Sequence, residues 1–214
     1  MKTDKNVPFY ANTPDNTHCF QAVLKMASKY FWPGEDYSWE ELEKITAKKD
    51  GLWTWPMSGL FWLSKRGVEL VCVEMFDYEK FIQLKGRYLL EEYGEEVGKA
   101  QIENSDIEQE IEVAEEFVKM VTIKKDIPEI DDLKDFLTQD YLLICNVNSN
   151  KLNNRDGYTG HFILIKGFDD DNFYIHNPGL PAAENQSVGY SLFEKAWAYP
   201  NDKAKNVFAF KLKR

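Results

Sequence analysis

The stretch TGHFILIKGFDDDNFYIHNPG, residues 159–179, constrains the fold of this chain more than any other segment. Two apolar runs, HFILIKGF and NFYIH, flank the acidic turn DDDN, which predicts two antiparallel strands joined as a hairpin. In such a hairpin, His161 at the start of the first strand comes beside His176 or Asn177 at the end of the second. The pattern therefore predicts a C-terminal sheet with polar side chains at one end of its strands.

Helical patterns dominate the chain before the hairpin. Apolar residues recur at helical spacing after Cys19, and the segments SWEELEKITAKK and WPMSGLFWLSKRG carry helix-start signals. The strand VELVCVEM follows, and residues 77–139 then look like a helical, acidic insert. YLLICNVN and NVFAFKLK add strands to the hairpin. We therefore expect a single α+β domain over residues 1–214, with the Cys19 helix packed on a largely antiparallel sheet.

The net charge of −10 comes from one segment. Between Glu91 and Glu116 the sequence has eleven acidic residues and one basic residue, Lys99, whereas the rest of the chain is balanced. Nucleic acid and anionic membrane surfaces are therefore not expected as partners. A solvated helical face is favoured over a surface that attracts basic peptides.

Several sequence patterns that this chain lacks bear on its expected compartment and cofactors. The sequence has no apolar run long enough to cross a membrane, and MKTDKNVPFYANT at its start is not a signal-peptide pattern. Cys19, Cys72 and Cys145 match neither a zinc site nor a disulfide framework, so we expect a cytoplasmic protein with reduced thiols. Because nucleotide-binding motifs and spaced calcium ligands are also absent, no metal or cofactor is expected.

Three residues form a candidate catalytic set. Cys19 stands at a predicted helix start, where the helix dipole and free N–H groups lower a thiol pKa and can bind an oxyanion. His161 would act as the base, and Asn177 would orient its imidazole by accepting a hydrogen bond. The structural alternative is a cysteine that happens to begin a helix, a half-buried histidine and an HNPG turn. Cys72 and Cys145 lie in apolar strands and are interpreted as buried.

Two segments resemble the papain-like cysteine peptidases of the bacteriocin-leader-processing, C39-like type. VPFYANTPDNTHCFQAVLKM resembles their Pro-aromatic-aromatic opening followed by the cysteine of the central helix. TGHFILIKGFDDDNFYIHNPG resembles their Gly-His strand, acidic turn and Asn-Pro step. The resemblance covers residues 7–31 and about 140–212 and implies a papain-like fold. It also implies a cysteine peptidase-like hydrolase that cleaves a peptide or amide bond, with Cys19, His161 and Asn177 as catalytic residues.

The resemblance implies further site residues and one departure. An oxyanion-hole amide is expected before the cysteine, where Asn12 is the nearest candidate, and Gln21 is the other amide nearby. Relatives usually carry glycine after the nucleophile, where this chain has Phe20, which either narrows the approach to the thiol or turns into the core. Trp53 and Trp55 are candidates for a substrate groove.

Three functions remain open at the level of sequence. The first is a hydrolase that acts on a peptide or acyl-amide substrate through a thioester. The second is an amide-forming acyltransferase, which uses the same thioester with a different acceptor. The third is a catalytically inactive papain-like binding module. The reactivity of the Cys19 thiol discriminates the third from the others, and acyl transfer to an added amine discriminates the second from the first.

Overall fold

The computed structural model describes residues 2–49, 53–179 and 181–213. Its helices are α1 (Cys19–Phe31), α2 (Trp39–Ile45), α3 (Met57–Lys65), α4 (Tyr78–Leu84), α5 (Gly86–Asn104), α6 (Ile107–Met120), α7 (Ile130–Thr138), α8 (Ser149–Leu152) and α9 (Tyr190–Trp197). Its strands are β1 (Thr3–Asp4), β2 (Val68–Glu74), β3 (Thr122–Lys124), β4 (Leu142–Asn148), β5 (Gly160–Phe168), β6 (Asn172–Asn177), β7 (Ala183–Gly189) and β8 (Asn206–Leu212).

The N-terminal helices form where the sequence predicts them. Helix α1 buries an apolar stripe that includes Phe20, Val23 and Leu24, and it ends just before Pro33, which disfavours helical backbone in the residue preceding it. Helix α2 begins with the predicted capping box, in which the Ser38 hydroxyl and the Glu41 carboxylate each accept the other residue's backbone N–H. Local sequence therefore sets the end of α1 and the start of α2.

The strands form one mixed sheet in the order β3-β2-β8-β4-β5-β6-β7, and β1 pairs with β5. Neighbouring strands are antiparallel except for β2 and β3, which run parallel. One face of the sheet packs against α1 to α6, and the other packs against α7 and α9. The predicted α+β fold, with the Cys19 helix on a largely antiparallel sheet, is confirmed.

Three strands differ from the sequence-based expectation. Strand β3 lies inside residues 77–139, where the sequence predicts mostly helix and gives no signal for a strand. Strand β7 has the mostly polar sequence AENQSVG and is largely exposed, and β1 has only two residues. None of the three shows the sustained alternation of apolar and polar residues that indicates a half-buried strand. They form because β2, β6 and β5 offer unpaired backbone groups at their sides.

The predicted β5–β6 hairpin is confirmed, but its register differs from simple counting. A bulge in β5 makes Leu164 the partner of His176. Continuing this register places residue 163 level with Asn177, so His161 is the diagonal neighbour of Asn177 on the same face. His161 and Asn177 are thus diagonal neighbours on one face of the sheet and not directly opposed residues of the hairpin.

One end of the sheet gathers the termini of several strands, and we call it the site end. The register pairs Asn148 with Gly160 and Glu74 with Asn206, so the ends of β2 and β4 meet the starts of β5 and β8. Helices α4 to α6 follow β2 from this end and bury Phe117 in the same core as α1. Among the described residues, no helix is both long enough and apolar enough to cross a membrane.

Candidate functional site

Cys19, His161 and Asn177 line one small cavity at the site end of the sheet. The cavity has a volume of about 50 Å³, which holds a water molecule or two and is far smaller than an ordinary ligand pocket. Its other lining residues are Asn16, Ser149, Asn153, Thr159, Gly160, Gly179 and Pro181. The walls are mainly polar, and the cavity must widen to admit a peptide or an acyl group.

The His161 imidazole is held by the Asn177 amide. His161 Nε2 lies 2.8 Å from Asn177 Oδ1, which also accepts the backbone N–H of Gly179 at 3.0 Å. Asn177 Nδ2 donates to Gln186 Oε1 at 3.1 Å. Because a backbone N–H can only donate, the Gly179 bond fixes which amide atom is oxygen, and His161 Nε2 must carry a hydrogen. Nδ1 of the neutral imidazole is then free to accept a proton.

Burial keeps the His161 side chain neutral at physiological pH. The loss of solvation lowers its pKa to about 4, although the hydrogen bond with Asn177 acts in the opposite direction. His161 is only 5% exposed. A neutral imidazole at pH 7 has the protonation state that a general base requires.

Cys19 begins α1 and is half-buried. Burial raises the pKa of its thiol, and this effect outweighs backbone hydrogen bonds from Phe162 and Phe20 and the positive charge of Lys48, all of which favour the thiolate. The N–H groups at the helix start favour the thiolate, as expected from the sequence, but desolvation outweighs them and the net pKa is raised. At neutral pH, the resting site holds a neutral thiol and a neutral imidazole.

Phe20 turns into the core rather than toward the thiol. It is fully buried, and its ring centroid lies 4.9 Å from that of Phe162. A Cβ added at Gly59 would lie 2.6 Å from the Phe20 ring, so glycine at that position makes room for the aromatic side chain. Of the two alternatives for this residue, the structure therefore supports the core position.

The Asn12 amide is engaged inside the loop that precedes α1. Its Oδ1 accepts the backbone N–H groups of Thr13 at 2.9 Å and His18 at 2.8 Å, and its Nδ2 donates to Asn16 Oδ1 at 3.0 Å. Asn16 borders the cavity, whereas Asn12 is not among the lining residues. The oxyanion role of Asn12 stays a prediction. Asparagine just before a helix is ordinarily interpreted as a cap, so the sequence gives no separate signal that Asn16 borders the cavity.

Gln21 points away from the cavity. Its side chain is fully buried, and Nε2 donates to the hydroxyls of Thr46 at 2.6 Å and Thr54 at 2.9 Å. These bonds tie the first turn of α1 to α2 and to the segment before α3. Gln21 therefore holds neighbouring elements together and offers no donor beside Cys19.

The two groove candidates have different surroundings. Trp53 is 50% exposed, whereas Trp55 stacks on Phe81 with a centroid distance of 5.8 Å and donates from Nε1 to Gln101 Oε1 at 2.8 Å. Neither indole lines the cavity beside Cys19. A groove role for Trp53 and Trp55 stays a prediction, and Trp55 also joins its loop to α5.

The remaining histidines have structural contacts. His176 is fully buried, donates from Nε2 to the Val7 carbonyl oxygen at 2.8 Å and accepts the Asn185 backbone N–H at Nδ1. His18 Nε2 lies 2.6 Å from a Glu43 carboxylate oxygen. Within the described parts of the chain, no cluster of three or more His, Cys, Asp or Glu side chains is placed to hold a metal ion.

The other two cysteines are buried as predicted. Cys72 in β2 and Cys145 in β4 are fully buried and unpaired. Burial raises both thiol pKa values well above the ordinary value. These thiols therefore provide unreactive internal references for Cys19.

Comparisons with known proteins identify the fold. No model of a known protein family and no curated protein sequence matches the chain. The structure of a Bacillus anthracis protein described as a candidate C39-like peptidase aligns over 100% of this chain and 98% of its own, with a TM-score of 0.55 and 16% identity. A double-glycine-motif protease from an AMS/PCAT transporter, solved with its leader peptide, gives a TM-score of 0.49, 15% identity and coverages of 100% and 99%. On the first of these alignments, the chain has the papain-like fold of C39-like peptidases.

Proposed function

We propose that this chain is a cysteine peptidase-like hydrolase that cleaves a peptide or amide bond. One observation carries the proposal: His161 Nε2 bonds Asn177 Oδ1 at 2.8 Å in the same cavity that holds the Cys19 thiol. The bond sets the tautomer in which Nδ1 can take the thiol proton. Cys19 is the nucleophile, His161 the base and acid, and Asn177 the orienting residue.

The acylation step transfers the substrate acyl group to Cys19. His161 Nδ1 takes the thiol proton as sulfur attacks the carbonyl carbon, and the carbonyl electron pair moves to oxygen. When this oxyanion collapses, the bond to the amine nitrogen breaks. The nitrogen receives the proton from His161, so the amine leaves and a thioester remains.

In the deacylation step, water replaces the thiol as the group that His161 deprotonates. His161 takes a proton from water, and the resulting hydroxide attacks the thioester carbon. The carbon–sulfur bond breaks, the carboxylic acid leaves and the sulfur recovers its proton. If an amine attacked the thioester in place of water, the product would be a new amide. Formation of an amide from an added amine therefore distinguishes an acyltransferase from a hydrolase.

The substrate and compartment belong to the same proposal. The substrate is a peptide or acyl-amide that widens the polar cavity as it binds. No nucleic-acid or membrane partner is proposed, because the acidic residues of α5 and α6 would repel both. Three unpaired thiols suit the reducing cytoplasm.

A binding module without catalysis is the second candidate function. It is favoured by one observation, the raised pKa of Cys19, which leaves little thiolate at neutral pH. In this case the fold would bind a peptide in the cleft, and the thiol would react no faster than a free one. The two candidates thus differ in what His161 does for Cys19.

The deciding experiment is alkylation by iodoacetamide across pH, read by mass spectrometry for each cysteine. For the hydrolase, we expect Cys19 to react faster than Cys72 and Cys145 at neutral pH, and His161→Ala to remove most of this reactivity. A peptide library then supplies hydrolysed substrates, with Cys19→Ser as the inactive control. If Cys19 behaves like a free thiol near pH ~8.5 in both proteins, the hydrolase proposal is wrong and the binding module stands.

A further inference from the structure

Asn16 occupies the wall of the candidate cavity three residues before Cys19. Its φ of 59° lies in the left-handed region, and its backbone N–H closes a turn on the Thr13 carbonyl oxygen at 2.9 Å. Asparagine tolerates this backbone conformation better than most residues. The turn places Asn16 on the wall of the cavity that Cys19 and His161 also line.

The hydrogen bonds of Asn12 determine which atom of the Asn16 amide faces away from the loop. Asn12 Oδ1 accepts two backbone N–H groups, so its oxygen and nitrogen are assigned without ambiguity. Asn12 Nδ2 must therefore donate, and the Asn16 atom that lies 3.0 Å from it must be an acceptor, Oδ1. The Asn16 Nδ2 group is then turned away from Asn12.

The Asn16 Nδ2 group is a free donor. In the part of the chain that the structure describes, no acceptor takes a hydrogen bond from it, and Asn16 is exposed. Cys19 is the first residue of α1, so its backbone N–H has no acceptor within the helix and adds a second donor beside the thiol. Two N–H donors on the wall beside a nucleophile are the kind of groups that stabilise a tetrahedral oxyanion.

We infer that Asn16 is a catalytic residue that donates from Nδ2 to the substrate oxyanion, together with the backbone N–H of Cys19. Asn12 is its positioning residue, because it fixes the Asn16 amide with Nδ2 available. The inference rests on the proposed hydrolase and assigns the oxyanion amide to the residue three before the nucleophile. Both donors act in each tetrahedral step, when the carbonyl oxygen carries the electron pair of its former double bond.

The test compares two reactions of the Cys19 thiol. Acylation by N-acetylglycine p-nitrophenyl ester forms a tetrahedral oxyanion and releases p-nitrophenolate. Alkylation by iodoacetamide displaces iodide without any oxyanion. We expect Asn16→Gly, which tolerates the left-handed backbone, to slow acylation about 10²-fold and to leave alkylation unchanged.

Asn154 supplies the matched control. It has a φ of 54°, and its N–H closes the same kind of turn, on the Lys151 carbonyl oxygen at 3.1 Å, but it does not line the cavity. Asn154→Gly should leave both reactions unchanged. Equal acylation rates in wild type and Asn16→Gly would overturn the inference while leaving the hydrolase intact. Loss of both reactions in Asn16→Gly would overturn it as well, by assigning Asn16 a structural role at Cys19.

A second variant tests the positioning role of Asn12. Asn12→Asp keeps an oxygen for the Thr13 and His18 N–H groups but replaces the donor that faces Asn16 Oδ1 by an acceptor. The Asn16 amide should then flip, so that Nδ2 binds the new carboxylate. We expect acylation to fall as in Asn16→Gly, with no further loss in the double variant. Additive losses would show that Asn12 does not act through Asn16.

Discussion

At the scale of single residues, the proposed activation of Cys19 depends on the neutral state of His161. The imidazole accepts a proton only above its pKa of about 4 and is protonated below it. We therefore expect ester acylation to fall as the pH drops through about 4, whereas an ordinary histidine would impose this limit near pH ~6.5. The pH profile of p-nitrophenolate release in wild type measures it. A limb near 6.5 would contradict a buried, neutral imidazole.

Gly179 covers the bond between His161 and Asn177. A Cβ at this position would lie 3.0 Å from both Asn177 Oδ1 and His161 Nε2, closer than side chains ordinarily pack. We expect Gly179→Ala to displace the imidazole and to lower the acylation rate about ten- to a hundredfold. The free energy of unfolding should change little. The control is Gly34→Ala, whose Cβ meets no atom within 4 Å. Equal rates in the two variants would show that the imidazole tolerates the added methyl group.

The sequence predicts some of these residues because their chemistry and spacing are distinctive. A histidine and an asparagine at the ends of a short hairpin can be found by counting, although the bulge that makes them diagonal neighbours has no sequence signal. The inward turn of Phe20 depends on Gly59, 39 positions away in the sequence, which no local pattern reveals. The orientation of Asn16 depends on the hydrogen bonds of Asn12 and requires coordinates.

At the scale of elements, Glu110 of α6 caps the start of α3. Both carboxylate oxygens accept the Ser58 backbone N–H at 3.2 Å, and the N-cap residue Pro56 offers no side-chain acceptor of its own. Glu110 is only 1% exposed, and burial raises its pKa to about 8, more than these hydrogen bonds lower it. The contact joins the acidic segment, as we call residues 77–139, to the helical core.

The burial of the Glu110 carboxyl group should make stability depend on pH. The folded-state pKa of Glu110 exceeds its unfolded value of about 4.3, so its contribution is full below that value and lost as the pH rises through about 8. In wild type, the free energy of unfolding should fall between about pH 5 and 8. Glu110→Gln should make this fall smaller by about 1–3 kcal/mol. Urea unfolding at several pH values measures it. The exposed Glu112 on the same helix gives the control Glu112→Gln, which should keep the wild-type slope, and an unchanged slope in Glu110→Gln would contradict the argument.

Element prediction succeeds where a face is buried and fails where it is not. The strands β2, β4, β5 and β8 are apolar on one or both faces and are evident from the sequence. Strand β7 is polar and exposed, and it exists because β6 provides a partner edge. Strand β3 forms for the same reason beside β2. Both depend on tertiary context, which outweighs local strand propensity.

At the scale of the whole molecule, the acidic segment shares its core with the Cys19 helix. Phe81 of α4 and Phe117 of α6 are fully buried in the same cluster as Phe20 and as Phe210 of β8. A segment attached only at the surface would have few apolar contacts, or apolar contacts only within itself. We therefore predict that residues 1–214 unfold as one cooperative unit, as expected of a single domain.

Substitutions in two distant parts of that core test the prediction. Phe117→Ala in α6 and Phe210→Ala in β8 should each lower the unfolding free energy by about 3–5 kcal/mol, because each leaves a cavity in a common core. Far-UV circular dichroism and tryptophan fluorescence should give coincident urea transitions in both variants, since neither part can lose its packing alone. Met120→Ala, at a position 38% exposed at the end of α6, should change stability by less than about 0.5 kcal/mol. An early helical transition confined to Phe117→Ala would instead make the acidic segment an independently unfolding unit, and the packing of α6 against α3 would then be too weak to couple the two parts of the core.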